Sequence, residues 1–330
     1  MQAWLCENPV GEDALTWKTL DTPEPGAKQV RIAIHAASVN YPDLLIVKNE
    51  YQMKPPLPFV PGSEFAGVIE AVGAEVQGLV VGQRVACLNG TGGFATHAVV
   101  DAALCMPLPD AFDMADAAAF IMIYATSHHA LIDRAALQPG ETVLVLGAAG
   151  GVGTAAIQIA KAHGARVIAA ASTDEKCQLC RDAGADETIN YTTHSPSGDW
   201  REQIKALTQG KGPDVVYDPI GGEWAEPTFR SIAWRGRYLV VGFAGGPIPK
   251  IPLNLPLLKG ASLVGVFWGA FARSEPKANA AMMQELAQWY LQGKVKPIMD
   301  GTLPMTELHQ AYARMNNRQV KGKLVLVNDL

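Results

Sequence analysis

The sequence predicts an α/β protein: a doubly wound parallel sheet in the middle of the chain and a second domain built as a small, partly open β-barrel. Three observations carry that reading. A glycine-rich turn, Gly147-Ala148-Ala149-Gly150-Gly151-Val152-Gly153, joins the apolar run 142–146 to the helical stretch 154–161. From there on, strand-like apolar runs alternate with helical patterns, which argues a parallel sheet with helices on its faces. The first ~120 residues instead carry short strand-like runs cut by proline and glycine, the pattern of a small barrel.

In chain order, residues 29–36, 65–72, 82–86 and 95–100 read as the barrel strands. Helical periodicity begins near Met114 and continues through Leu131. The parallel sheet then takes strands from 142–146, 165–171, 187–190, 214–218, 237–243 and 262–266. Helical runs follow at 277–291 and 304–315, and the strand 323–327 is expected to return to the first domain.

At 330 residues the chain is long enough for two domains, and 48% hydrophobic with 18% charged residues is an ordinary globular composition. The net charge of −5 disfavours chain-wide affinity for nucleic acid or an anionic membrane. Residues 1–7 lack a basic segment followed by an apolar one, and no apolar run reaches the roughly 18 residues of a membrane-spanning helix. With five cysteines and no metal spacing among Cys6, Cys87 and Cys105, the expected setting is a reducing cytoplasm. Cys177 and Cys180 form a lone C-x-x-C, read as two small apolar residues on a helix because no second ligand pair exists.

The glycine-rich turn is the feature with chemical content. A helix N-terminus offers unpaired N–H groups and positive dipole, and glycines let the backbone approach a pyrophosphate. Ala149, Gly150, Gly151, Val152 and Gly153 are therefore expected to hold a dinucleotide, against the alternative of a merely structural tight turn.

The barrel first, a nucleotide domain inserted and a returning last strand resemble the medium-chain dehydrogenase/reductase superfamily. Within it the chain resembles the zinc-free NADPH:quinone oxidoreductases, the zeta-crystallin-like branch. The likeness spans nearly the whole chain. It is carried by Ser38-Val39-Asn40-Tyr41-Pro42-Asp43, by 57–67 with its Pro61-Gly62-Ser63-Glu64, by Gly82-Gln83-Arg84-Val85, by 148–153 and by Val216-Tyr217-Asp218. It implies a GroES-like substrate domain over 1–120 and 270–330 and a Rossmann NADPH-binding domain over 121–269. Relatives with zinc carry cysteine where this chain has Asn40 and histidine where it has Ser63, and the four-cysteine lobe has no counterpart. No metal is expected. Without that Lewis acid, hydride transfer into an electron-poor acceptor is the natural chemistry.

NAD-specific sites place an acid at the end of the second strand to bond the ribose 2′-OH. The resemblance puts that place at Ala171, followed by Ser172 and Thr173, and puts Lys176, Tyr191 and Arg318 around a 2′-phosphate. Asp174 and Glu175 are acids only a few residues away. At the reacting end it places Asn40, Tyr41, Thr126, Gly242-Phe243-Ala244 and the backbone of Phe267 and Trp268 beside the cofactor. Tyr51, Met122, Ile123, Tyr124 and Trp268 are candidate apolar walls. Tyr51 matches a tyrosine that enoyl-thioester reductases use near the reacting carbonyl, so Tyr51 and Asn40 are the catalytic candidates. A phenol there donates to oxygen as enolate charge develops. Asp43 reads as a structural carboxylate, and His128 and His129 as packing or surface residues.

The expected function is an NADPH-dependent reductase acting on a quinone or a small α,β-unsaturated carbonyl. The rival readings are an enoyl-CoA or enoyl-thioester reductase, for which no compact Lys/Arg cluster is visible, and a non-catalytic NADPH-binding protein. The apolar run 262–268 reads as an edge strand, and covering it predicts a homodimer.

Overall fold

A computed structural model describes residues 1–329. The chain forms two compact units, one of Met1–Met122 with Met299–Leu330 and one of Ile123–Ile298.

The first unit is a seven-stranded sheet with the path Met299–Pro304, Lys323–Val327, Gln29–Ser38, Glu64–Val72, Arg84–Leu88, Cys105–Pro107, and His97–Asp101 paired beside it on Gln29–Ser38. Gln29–Ser38 is long enough to serve three partners. It holds Glu64–Val72 on one edge, with His97–Asp101 and Lys323–Val327 taking successive stretches of the other. Register shifts at Arg31/Ile32 and Ile34/Ala36 bend it, as bulges do, and start the sheet curling into a barrel. Val30, Ile32 and Ile34 point inward with Phe65, Phe94 and Tyr312, the last two meeting edge to face at 6.2 Å.

The second unit is a six-stranded parallel sheet in the order Glu187–Asn190, Arg166–Ala171, Thr142–Val145, Val215–Asp218, Arg237–Val240, Ser262–Gly265. Its central strands read as continuous apolar runs because both faces are covered.

Three readings of the sequence differ from this structure. Residues 270–298 group with the nucleotide unit, not the barrel. The helix Pro276–Leu291 packs there through Trp289 against His128, and the Lys296 backbone exchanges two hydrogen bonds with Gln158. The stretch 304–315 is not one helix. Met299–Pro304 is a strand parallel to Lys323–Val327, and the helix Leu308–Asn316 begins only after Pro304 has ended that strand. The helical run from Met114 is broken into Met114–Ala118, Ile121–His128 and a π-helical segment His129–Arg134.

Candidate functional site

The order of the parallel sheet reverses beside Thr142–Val145, whose neighbours are Arg166–Ala171 and Val215–Asp218. Chain segments leaving adjacent strands in opposite directions open a crevice at the strands' carboxyl ends. The glycine-rich turn lies there, and its glycines do different jobs. Gly147 has φ 56°, and a Cβ on it would lie 2.4 Å from Ile220 Cδ1. A Cβ on Gly153 would lie 2.6 Å from the carbonyl oxygens of both Gly147 and Ala148. Those two positions need glycine for the fold itself. Gly150 does not: its φ is −82°, and a Cβ would meet only Gly147 O, at 3.5 Å. It is the N-cap of the helix Gly151–Ala162, and no side chain caps that terminus. The amides of the first turn thus lack an intrahelical acceptor, the arrangement that receives an anion. A diphosphate fits this cradle.

Supports under the cradle had not been assigned from sequence. Ser127 Oγ donates to Val152 O at 3.0 Å and lies 2.9 Å from the Tyr217 hydroxyl, tying the helix start to the sheet. Asp218 organises the opposite wall. Its Oδ1 accepts from the amides of Ile220 and Gly221, both at 2.8 Å, and its Oδ2 from the Tyr238 hydroxyl at 2.6 Å. Burial pushes the Asp218 carboxyl above its usual range, against the pull of these donors. The turn held by Asp218 in turn fixes Gly242-Phe243-Ala244. The Gly242 and Ala244 amides donate to Asp218 O and Pro219 O, and Phe243 is left partly exposed. An aspartate ending an apolar run before Pro-Ile-Gly-Gly is an Asx-turn signal, and it was legible.

At the ends of the second and third strands the structure brings Ser172, Thr173, Lys176 and Tyr191 together. Asn190 pairs with Ala171, which sets Tyr191 beside Ser172. Ser172 O accepts from Thr192 Oγ1 at 3.1 Å, and Thr173 Oγ1 caps the next helix through the Lys176 amide at 3.2 Å. The Tyr191 ring lies 5.3 Å from that of Trp224. Asp174, the nearest acid, is held by Asn190 Nδ2 at 2.7 Å. Arg318 belongs to the first unit, exposed beyond the end of helix Leu308–Asn316.

In the first unit, Asn40 is 5% exposed. Its Oδ1 accepts from Lys323 Nζ at 2.6 Å, and its Nδ2 donates to Ser38 Oγ and Glu64 Oε2, each at 3.1 Å. These bonds fix the orientation of the Asn40 amide. Glu64 is fully buried and also accepts from Ser38 Oγ at 2.6 Å and the Met122 amide at 2.8 Å. Asp43 accepts from the Asn40 and Ser63 amides, both at 2.9 Å, the structural carboxylate expected. Burial pushes it up to about 6, opposed by Ser63, Asn40 and the Lys323 charge. With a folded-state value above the ordinary 3.8, its stabilising contribution is complete below 3.8 and lost as pH rises through about 6. Glu64 and Lys323 were missed because nothing local marks two residues so far apart in sequence as a pair. Tyr41, first residue of the helix Tyr41–Val47, is exposed, and Tyr51 is half-buried against the barrel core.

Several expected wall residues are core instead. The Tyr124 hydroxyl donates to Gln158 Oε1 at 2.6 Å, and both Tyr124 and Ile123 are buried. The Trp268 indole is buried and donates to Asn279 Oδ1 at 2.9 Å, whereas Phe267 beside it is 56% exposed. Thr126 is half-exposed. His128 and His129 are buried packing residues, against Trp289 and Phe271. Cys177 and Cys180 are buried too, and burial pushes Cys180 up to about 12.

Residues 26–110 match the alcohol dehydrogenase GroES-like domain, and residues 151–288 match the zinc-binding dehydrogenase domain. The chain is 36% identical over 306 residues to the quinone oxidoreductase-like protein 2 of Rattus norvegicus, covering 92% of this chain and 86% of that one. It is 33% identical over 309 residues to the quinone oxidoreductase of the same species, covering 92% and 91%. A mycobacterial protein solved in complex with NADPH superposes with a TM-score of 0.91 at 30% identity, covering 99% and 100%. The chain belongs to the medium-chain dehydrogenase/reductase superfamily, among its quinone oxidoreductase-like members, and is an oxidoreductase.

The zinc in one family description can be tested on the donors present. Asn40 offers an amide already bonded to an ammonium, Ser63 a hydroxyl, and Lys323 Nζ lies 3.8 Å from Glu64 Oε2, so a cationic side chain already occupies this cluster. Neither thiolate nor imidazole joins it, and among the described residues no group of three His, Cys, Asp or Glu is placed to hold a metal. This donor set does not fit zinc.

Proposed function

We propose that this chain is an NADPH-dependent reductase that transfers hydride to a quinone or a small α,β-unsaturated carbonyl without zinc. The observation that carries the reading is the phosphate cradle at Gly150 next to a second strand that ends on Ala171 with no carboxylate. An acid at that strand end would repel a 2′-phosphate. The nearest one, Asp174, is engaged by Asn190, and Lys176 stands on the same turn. Ala149, Gly150, Gly151, Val152 and Gly153 take the pyrophosphate, and Ser172, Thr173, Lys176, Tyr191 and Arg318 take the adenosine phosphate end. Asn40, Tyr41, Thr126, Gly242, Phe243, Ala244 and the backbones of Phe267 and Trp268 receive the nicotinamide end. The cofactor supplies a hydride, and the chain's residues orient it and exclude water.

The deciding experiment is NADPH and NADH oxidation measured across quinones, enones, enals and enoyl-CoAs. Lys176→Ala should raise KM for NADPH by about 10-fold or more, the loss of one charge-assisted bond, and leave NADH nearly unchanged. Equal efficiency with the two nucleotides in the unmodified protein defeats the proposal. A protein that binds NADPH but reduces none of these acceptors is the binding-only reading.

Tyr51 separates the acceptors. If the acceptor is an enoyl carbonyl, the phenol bonds to developing enolate charge, and Tyr51→Phe lowers kcat by about 10²–10³-fold. With a quinone, whose reduced oxygens are easily protonated, kcat changes little and KM carries the effect. We favour the quinone or small-enone reading, since no compact Lys/Arg cluster for the CoA phosphates is visible in the sequence. A large kcat loss with both substrates makes Tyr51 a general catalytic residue.

The working form proposed is a cytoplasmic homodimer. No described helix is long and apolar enough to cross a membrane, and all five cysteines are free. The edge strand Ser262–Gly265 exposes Leu263, and the helix Asn254–Lys259 beside it exposes Leu257 and Leu258 at 77% and 67%. An apolar edge of this kind is an association surface. Light scattering should give twice the 35.2 kDa chain mass, and Leu263→Lys should halve it. A monomeric unmodified protein at micromolar concentration counts against this.

A further inference from the structure

Two cysteines outside the site face each other across a strand pair. Arg84–Leu88 and Cys105–Pro107 run antiparallel with Cys87 directly opposite Cys105. The Leu108 amide donates to Arg84 O at 2.9 Å, which makes Arg84 and Leu108 a hydrogen-bonded pair. Alternation along the ladder then makes Ala86/Met106 hydrogen-bonded and leaves Val85/Pro107 and Cys87/Cys105 as the non-hydrogen-bonded pairs. Pro107, which has no N–H, sits where that alternation asks for none. In non-hydrogen-bonded pairs the side chains stand closest together. The two sulfurs are 3.5 Å apart with both thiols free, Cys87 fully buried and Cys105 half-buried. Closing them to the ~2.05 Å of a disulfide needs side-chain rotation and no shift of register.

We propose that Cys87 and Cys105 are an oxidation site that forms a reversible intrachain disulfide on exposure to a hydroperoxide. The roles follow from access. The Cys105 sulfur attacks one peroxide oxygen: an S–O bond forms, the O–O bond breaks, and water or an alcohol leaves. The Cys87 sulfur then attacks the Cys105 sulfur: the S–S bond forms, the S–O bond breaks, and water leaves with the Cys87 proton. Two thiols have lost two electrons and the peroxide has gained them. Burial keeps Cys87 from the peroxide, while its thiol already contacts the Cys105 sulfur that it attacks in the second step. The bridge would pin Cys105–Pro107 to the strand paired with Glu64–Val72, where Cys87 lies opposite Phe65 and Leu88 opposite Glu64.

The experiment uses the full reduced chain. It is treated with hydrogen peroxide, quenched with catalase, denatured, alkylated, digested and read by mass spectrometry. The expected result is equal loss of alkylation at Cys87 and Cys105, one peptide pair joined between them, and full recovery with dithiothreitol. Alkylation at Cys6, Cys177 and Cys180 stays unchanged. Cys105→Ser should abolish the loss at Cys87, and Cys87→Ala should leave a Cys105 sulfenic acid that dimedone traps. Loss at Cys105 alone in the unmodified protein, or a link between the Cys105 residues of two chains, overturns the proposal without need of either variant.

Discussion

Gly150→Asp should weaken NADPH binding by roughly 10²–10³-fold while leaving the unliganded protein as stable as before. The position separates the two reasons for a glycine. Its φ of −82° suits any residue, and a Cβ there makes only ordinary contact with Gly147 O. Aspartate at an N-cap is as good as glycine or a few tenths of a kcal/mol better, because its oxygen accepts from the first-turn amides. Those amides are the ones the diphosphate needs. The carboxylate both occupies them and repels the ligand. Losing one or two charge-assisted bonds of about 1.5–3 kcal/mol each gives the stated factor. Gly153→Val should do the opposite. Its Cβ would press on two carbonyl oxygens at 2.6 Å, so the fold is destabilised by about 1–3 kcal/mol before any ligand is added. Calorimetric titration with NADPH and thermal unfolding of the unliganded variants measure both. If Gly150→Asp binds NADPH normally, the cradle is not the pyrophosphate site.

Lys323→Met should destabilise the first unit by about 3 kcal/mol or more, as removal of one partner from a buried charge cluster does. Lys323 is fully buried by its neighbours, and burial lowers its ammonium below the usual lysine value while Glu64 and Asp43 pull it back up. Methionine fills the same space but abandons three acceptors. Asn40 Oδ1 and Val39 O lose their donor, and Glu64 loses the only cation near it among the described residues. Denaturant unfolding of the single variant, of Glu64→Gln and of the double variant tests the coupling. The double variant should be more stable than the sum of the singles by about 1–3 kcal/mol, because neither charge is then left alone. Additive effects, or a Lys323→Met loss below about 1 kcal/mol, would show that the pair is not a unit. A freed Asn40 should also disturb the helix Tyr41–Val47, whose first residue is Tyr41, so KM for NADPH is expected to rise with the stability loss.

The parts of the fold legible in the sequence are those whose signal is local. The runs at 142–146, 165–171, 187–190 and 214–218 stand within a residue or two of the observed strands, the three inner ones because a strand buried on both faces must be apolar along its length. The final strand Lys323–Val327 was read at its observed bounds for the same reason. The failures are equally physical. Met299–Pro304 contains Asp, Gly and Thr and carries little apolar periodicity, so its strand state comes from pairing with Lys323–Val327, a contact no local window contains. The helix Pro276–Leu291 went to the wrong unit because its apolar face does not say which surface it covers.

The candidate site divides along the same line. The chain alone determined the glycine turn, the missing acid at Ala171 and the absence of thiolate or imidazole at Asn40 and Ser63, since each depends on which residue type stands at one point of a local pattern. Only the tertiary structure decided that Gly150 is unneeded by the fold while Gly147 and Gly153 are required, that Tyr124 and Trp268 are core, and that the Asn40 amide bonds to Lys323, Ser38 and Glu64. Those outcomes depend on what lies within a few ångströms of a side chain, and some of the neighbours come from residues as far as 283 positions away in the chain.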